Sequence, residues 1–372
     1  MRTDTQYGGE PLPLPATDRR QTASLYAYLD AVRRLQGTFL DAFGLGPEEA
    51  PSRIVFSERV MTLKAYGKKR RDGPVMLIVP APIKRAYIWD MAPEASVVRE
   101  CLRGGIGVYM IHWKEPGLDD QGTGLDGYAG RFMTLSMDAI ARETGEDRVF
   151  LAGHSLGGTL CAVFASGHKD RVKGLILVET PLKFGPALGD IDAMVAKAPE
   201  AQRLTKDLGN VPGFFISSMS TMASPGTFRT ERFQDLLSSL GDLQDWQMHM
   251  RVVRWTLDEL PMPKKLFEEV MEYLYREDRF MRGKLTIEGR PAVPSGVESP
   301  IVSIADQRSR VVSPESCLAF HDAASSTDKQ VFWYRGDVGV AIQHAGVLVG
   351  KNAHRYLWPE IVDWVNARSR TE

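Results

Sequence analysis

Cysteine is scarce in this chain: Cys101, Cys161 and Cys317 are three in 372 residues, odd in number and far apart. That excludes a disulfide framework and suits buried thiols in a reducing compartment. An excess of one charge is also missing. With 46 Lys and Arg against 47 Asp and Glu, the formal net charge is −1 and the pI about 6.7, so a polyanionic partner such as nucleic acid is not expected. No apolar run reaches the length of a membrane span. Residues Met1 to Tyr7 lack the apolar core of a signal peptide, and a cytoplasmic protein is expected. The histidines and cysteines have no metal-ligand spacing and the glycines no dinucleotide pattern, so neither metal nor cofactor is expected.

What the chain does have is 43% hydrophobic residues, enough for one large α/β domain with an insertion. Residues 1–20 are rich in Pro and Gly and are expected to be ordered only by docking on the body. Apolar residues at helical spacing run from Ala23 to Phe43, and Gly44 and Gly46 stop that helix. Strand patterns follow at Arg53–Phe56, Met61–Tyr66, Val75–Val79, Ile106–Ile111, from about Arg148, Leu175–Val178, Ile301–Ala305 and Gln330–Tyr334. Lys68-Lys69-Arg70-Arg71-Asp72-Gly73 is expected to be a charged turn, its four cations a solvated surface in preference to a phosphate or partner site. A helix spans about Asp126 to Glu143. Strands alternating with helices predict a mostly parallel sheet covered by helices on both faces.

The chemistry concentrates at Gly153-His154-Ser155-Leu156-Gly157, directly after the apolar run Val149-Phe150-Leu151-Ala152 and before a helix of small residues. A G-x-S-x-G sequence between strand and helix is a nucleophile elbow: serine sits on a strained turn with its hydroxyl above the sheet, and the glycines remove Cβ atoms that would collide. The fold expected is therefore an α/β-hydrolase. Between Pro181 and Pro294 the strand rhythm lapses into helical, Met- and aromatic-rich sequence, including Phe214, Phe215, Met219, Met222, Phe228, Phe233, Trp246 and Trp255. Such an insertion is expected to form a cap that excludes water and receives acyl chains. The expected division is an N-terminal arm and helix (1–50), core (51–180), helical cap (181–294) and core again (295–372).

The chain resembles the polyhydroxyalkanoate synthases over most of residues 60–368. The resemblance rests on Leu77-Ile78-Val79-Pro80-Ala81-Pro82-Ile83-Lys84-Arg85-Ala86-Tyr87-Ile88, Val108-Tyr109-Met110-Ile111-His112-Trp113, Gly283-Lys284-Leu285 with Gly289-Arg290, His344-Ala345-Gly346-Val347-Leu348-Val349-Gly350 and Trp358-Pro359-Glu360-Ile361-Val362-Asp363-Trp364. It implies acyl transfer on 3-hydroxyacyl groups, an acyl-CoA as candidate substrate, and a homodimer. Three departures matter. The family's nucleophile is cysteine and here it is Ser155, the nucleophile of esterases and lipases, which needs a general base. The family's Asp, nine residues after the proline that opens the late strand, falls on Ser309; Asp306 lies three residues early. The Asp before the family's tryptophan is His112, expected to be structural.

His344, in a Gly-rich loop before the terminal helix, is the expected general base. For the acid, Glu179 is preferred over Asp306, with Asp337 a weaker third. Glu179 ends the strand after the elbow helix, and Val172-Lys173-Gly174…Glu179 resembles the haloalkane dehalogenases that place a Glu there. His154 is expected to point away from the site, and His168, His249, His321 and His354 to be structural. Oxyanion donors are expected from the backbone N–H of Leu156 and of the loop after Val79, where the prolines leave Ala81 or Ile83, with Ile83 chosen. Lys84, Arg85 and Tyr87 are either a solvated rim or contacts to a substrate carboxylate or CoA phosphate. The function expected is a serine acyl-enzyme hydrolase or acyltransferase acting on apolar or 3-hydroxyacyl esters, oligomeric esters included. A serine-dependent polyhydroxyalkanoate synthase and a non-catalytic granule- or synthase-binding relative are the alternatives.

Overall fold

The computed structural model describes residues 19–67 and 73–369, without the side chains of residues 19–24. The Pro/Gly-rich opening segment, residues 1–18, and the charged turn at Lys68–Asp72 lie outside the described residues.

Eight strands form the central sheet: β1 (Ser52–Ser57), β2 (Met61–Tyr66), β3 (Val75–Val79), β4 (Gly107–Trp113), β5 (Val149–His154), β6 (Val172–Val178), β7 (Ile301–Asp306) and β8 (Lys329–Tyr334). Their spatial order is β1-β2-β4-β3-β5-β6-β7-β8. The β1–β2 and β2–β4 pairings are antiparallel; every pairing from β4 through β3 to β8 is parallel. The inner strands read as unbroken apolar runs because both faces are covered. Alternate side chains go to opposite sides: Leu77, Val79 and Leu151 enter one core, Met76, Ile78, Phe150 and Ala152 the other.

Helices cover both faces. They are α1 (Arg19–Ala42), α2 (Val97–Arg103), α3 (Phe132–Thr144) and α4 (Leu156–Gly167), then α5 (Asp190–Lys197), α6 (Ala201–Thr205), α7 (Gly213–Ala223), α8 (Arg232–Ser239), α9 (Leu243–Thr256) and α10 (Lys264–Glu269) between β6 and β7. After β7 come α11 (Pro314–Ala323), α12 (Gln343–Val349) and α13 (Trp358–Ser369). The helix expected over 126–143 opens with a π-helical turn, Asp126–Arg131, before α3. The strand expected from Ile106 starts one residue later, because the Ile106 N–H donates to the Cys101 carbonyl (2.9 Å) and closes the end of α2. Cys101, Cys161 and Cys317 are buried free thiols. Among the described residues, no helix is long and apolar enough to cross a membrane.

The elbow shows why its residue types are required. Ser155 links β5 to α4 with φ +53° and ψ −132°, a left-handed φ that few side chains tolerate. Its N–H donates to the Val178 carbonyl (3.0 Å), which ties the turn to β6. A methyl group on Gly157 would lie 2.1 Å from the Val79 carbonyl oxygen and 3.0 Å from the Ala81 nitrogen. One on Gly153 would lie 2.5 Å from the backbone of Gly157 and Gly158. Gly167, at the far end of the same helix, faces open space. Gly157→Ala is therefore expected to lower stability by about 3 kcal/mol or more, through overpacking against a backbone that cannot yield. Gly167→Ala should be neutral or stabilising. Denaturant titration of the two variants makes the comparison, and equal stability of both would contradict the packing described.

Candidate active site

Ser155 is carried above the sheet by the elbow, and the loop after β8 brings His344, at the start of α12, to the same cavity. Glu179 immediately follows β6 with φ +43°, a kink that turns its side chain out of the strand direction. The Glu179 carboxylate is 1% exposed and lies 2.8 Å from His344 Nδ1 through Oε2. Its Oε1 accepts from the Asp306 backbone N–H (2.8 Å), and its Oε2 from the Ser309 hydroxyl (3.2 Å). Since Nδ1 is engaged there, Nε2 is the nitrogen of His344 left to meet a proton in the cavity.

Burial pushes both members of this pair towards their neutral forms. The imidazole of His344 is lowered to about 4 by desolvation. Glu179 is raised to about 8, first by burial and then by the nearby Asp306 charge, against the Asp306 N–H and Ser309 hydroxyl, which favour the carboxylate. At neutral pH His344 is thus an unprotonated imidazole, able to take a proton.

The structure brings Glu179, not Asp306, to His344. Asp306 is buried, but its carboxylate turns to Arg308, accepting from the Arg308 backbone N–H (2.8 Å), Nε (3.2 Å) and Nη2 (3.2 Å). Asp337 lies elsewhere too: it accepts from the Tyr334 hydroxyl (2.9 Å) and the Asn352 N–H (2.7 Å) and so closes the loop after β8. His112 is structural, 2.7 Å from the Tyr66 hydroxyl. His168, His249, His321 and His354 bond Phe164 O, Asp235, Ser303 Oγ and Leu348 O respectively.

His154 corrects an expectation. Its ring does not point away from the site: it packs 4.3 Å, centroid to centroid, from the His344 ring, and its Nε2–H donates to the His344 carbonyl (2.8 Å). Burial, then the neighbouring His344, holds its pKa well below the ordinary range, so it is a neutral ring packed against that of His344. Position within the elbow gave no sign of this, because its partner is 190 residues away.

Leu156 opens α4 with its N–H at the helix start, beside the hydroxyl-bearing residue. Across the cavity, Pro80, Ala81 and Ile83 all line the wall. Trp113 Nε1–H donates to the Pro80 carbonyl (2.7 Å) from within the core and fixes that loop. Of the two candidate N–H groups there, that of Ala81 stands against Gly157.

The cavity, about 370 Å³, is roofed by the segment between β6 and β7, with Ile216, Phe228 and Trp255 among its apolar lining. Phe215, Met219, Tyr273 and Tyr275 pack on the core instead, and Met222 and Phe233 are exposed. Lys84 and Arg85 are not a free rim. Lys84 binds Glu259 and the Thr256 carbonyl (3.1 Å), and Arg85 binds Asp258 (3.1 Å) and Glu115 (3.1 Å). The Tyr87 hydroxyl donates to Asp258 (3.3 Å).

Residues 74–333 match the model of the alpha/beta hydrolase fold family. Among curated proteins, the chain is 28% identical over 329 residues to the poly(3-hydroxyalkanoate) polymerase subunit PhaC of Haloferax mediterranei, covering 87% of this chain and 65% of that protein, just under two thirds of its length. It is 24% identical over 347 residues to the PhaC subunit of Allochromatium vinosum, covering 91% and 96%. Among solved structures it is similar in fold to a monoacylglycerol lipase of Paleococcus ferrophilus (TM-score 0.53, 17% identity, 83% of this chain and 99% of that one). A thermophilic esterase of Thermogutta terrifontis is comparable (TM-score 0.50, 15% identity, 86% and 100%). The elbow, the parallel sheet and these matches agree: the chain belongs to the α/β-hydrolase fold family and is an enzyme-type member similar to the polyhydroxyalkanoate synthases.

Proposed function

We propose that the protein is a serine-dependent acyltransferase that extends 3-hydroxyacyl chains from coenzyme-A thioesters. One observation carries the chemistry: Ser155 and His344 share one cavity, and the His344 ring is held through Nδ1 by buried Glu179. The likeness to polymerase subunits over nearly the whole chain supports polymerisation over simple hydrolysis. Ser155 Oγ attacks the thioester carbonyl, and its proton passes to His344 Nε2. The tetrahedral oxyanion is met by the N–H groups of Leu156 and of the loop after β3, where the position of Ala81 against Gly157 favours it over Ile83. The C–S bond then breaks, and the thiolate leaves with the proton from His344. A hydroxyl of a second hydroxyacyl group attacks the acyl-serine and its proton passes to His344 Nε2; the acyl C–Oγ bond then breaks and His344 returns the proton to Ser155 Oγ, so that the serine is regenerated and the chain grows by one ester. The segment 181–294 acts as the cap that keeps water out of this exchange.

Hydrolysis is the second reading. It is favoured by serine itself, whose oxygen ester is the usual intermediate of esterases, and in it water replaces the hydroxyacyl acceptor. Product mass spectrometry after incubation with 3-hydroxybutyryl-CoA separates the two: oligomer with CoA release is expected, and free acid alone would establish the hydrolase. Ser155→Ala should abolish either outcome.

Glu179→Gln is expected to lower kcat on the order of 10⁴-fold, as when a triad loses the acid that fixes its imidazole. Asp306→Asn should stay within about tenfold, because its carboxylate faces a largely exposed arginine. The reverse ranking, from steady-state rates on p-nitrophenyl butyrate, would make Asp306 the acid. His344 accepts a proton only when unprotonated, so activity is present above its pKa and lost as the pH falls through it. With burial holding that pKa near 4, the acid limb of kcat/KM should fall well below the ordinary imidazole value of about 6.5. A limb at the ordinary value in the pH–rate profile would mean that the base is not this buried ring.

A further inference from the structure

Among the described residues, five cations line the cavity beside Ser155, against a single carboxylate, Glu259. Glu259 is already shared, through Oε1 with Lys84 and Oε2 with Arg33 (2.9 Å). Arg85 is committed to Asp258 and Glu115. That leaves Arg232, at the start of α8, and the more exposed Arg229. Among the described residues no carboxylate pairs with the Arg232 guanidinium, although it is partly buried, and its pKa is lowered by burial and then by Arg33. Arg33 Nε is also buried without a hydrogen-bond partner among the described residues. A positive charge withdrawn from water and facing another costs stability unless something negative visits it.

We propose that Arg232, backed by Arg33, is an anion subsite that receives a carboxylate borne by the substrate a short carbon chain away from the reacting carbonyl. The inference rests on Ser155 being the nucleophile. A guanidinium is the side chain suited to bidentate recognition of a carboxylate, and here it shares a compartment of about 370 Å³ with the reacting hydroxyl. The phosphates of a coenzyme-A thioester are separated from its carbonyl by the whole pantetheine arm, too far to lie in a compartment of this size with the carbonyl at Ser155. A terminal carboxylate on a short acyl group fits it. The substrate class indicated is therefore an acyl ester or thioester whose chain ends in a carboxylate, a 3-hydroxyacyl thioester of that kind included, rather than a purely apolar acyl chain.

The test compares acylation of the whole protein by mono-p-nitrophenyl glutarate and by p-nitrophenyl pentanoate, two acyl groups of equal length in which a carboxylate replaces a methyl. Acyl-Ser155 is read by intact mass and the p-nitrophenol burst, so that slow deacylation does not matter. The glutarate ester is expected to react faster. Arg232→Gln should slow it roughly 10- to 100-fold, the loss of a charge-assisted hydrogen bond, and leave the pentanoate ester, whose methyl end makes no such bond, within about twofold. Arg232→Lys should recover part of the loss. Equal slowing of both esters, or none, overturns the subsite while leaving Ser155 as nucleophile. Absence of any acylation at Ser155 by either ester sinks the nucleophile and the subsite together. Butyryl-CoA against the butyryl thioester of N-acetylcysteamine forms the last arm: an Arg232→Gln loss confined to the CoA thioester would assign the arginine to phosphate and overturn the carboxylate.

Discussion

A carboxylate buried at the end of a central strand is the constraint on which this site depends. Removing such a group from water costs several kcal/mol unless it is paired and hydrogen-bonded. Glu179 meets the requirement with the Asp306 N–H at the end of β7, the Ser309 hydroxyl beyond it and the His344 ring at the start of α12. One residue directly after β6 thereby fixes the relative positions of a neighbouring strand end, its loop and the helix start that carries the imidazole. The φ of +43° is part of the same solution, since an extended residue there would continue along the strand.

The partnership with Ser309 accounts for an odd feature of the sequence. Residue 309 occupies the place where the resembled family carries its acid, nine residues after the proline that opens the late strand. Here a hydroxyl stands there and donates to Glu179 across 3.2 Å. An aspartate at 309 would set two carboxylates against each other in a buried site, which like charges oppose. Serine at 309 and glutamate at 179 are therefore one arrangement, in which a carboxylate reaches the His344 ring from the end of the adjacent strand. Geometry rather than chain position defines such a constellation.

Much of this was legible in the sequence because it is local. The elbow is five consecutive residues, the inner strands are unbroken apolar runs, and Glu179 was marked by its place at the end of such a run. What stayed hidden depends on contacts across the chain. His154 was expected to turn away because nothing nearby in sequence places the His344 carbonyl over it. The choice between Ala81 and Ile83 turns on how closely Gly157 approaches the loop after β3. Lys84 and Arg85 were visible as cations, but their partners, Glu259 and Asp258, lie more than 170 residues on. Arg232 carried no signal at all: one arginine at a helix start looks like any solvated charge until the fold sets it facing Arg33.

Helix α8 joins these threads. Arg232 at its start lines the cavity, and Asp235, one turn on, accepts from the N–H groups of Gly339 (2.9 Å) and Ala341 (2.7 Å) and contacts His249 (2.7 Å). Those two N–H groups belong to the loop that leads into His344, where Ala341 holds a left-handed φ of +57°. A non-glycine residue keeps such a φ only where its surroundings fix it, and the Asp235 carboxylate is the group that does so. The same short helix thus meets the cavity beside Ser155 at one end and braces the histidine loop one turn later. A shift of α8 large enough to move Arg232 would also break both bonds to that loop, so the shape of the cavity and the placement of the His344 ring are set together.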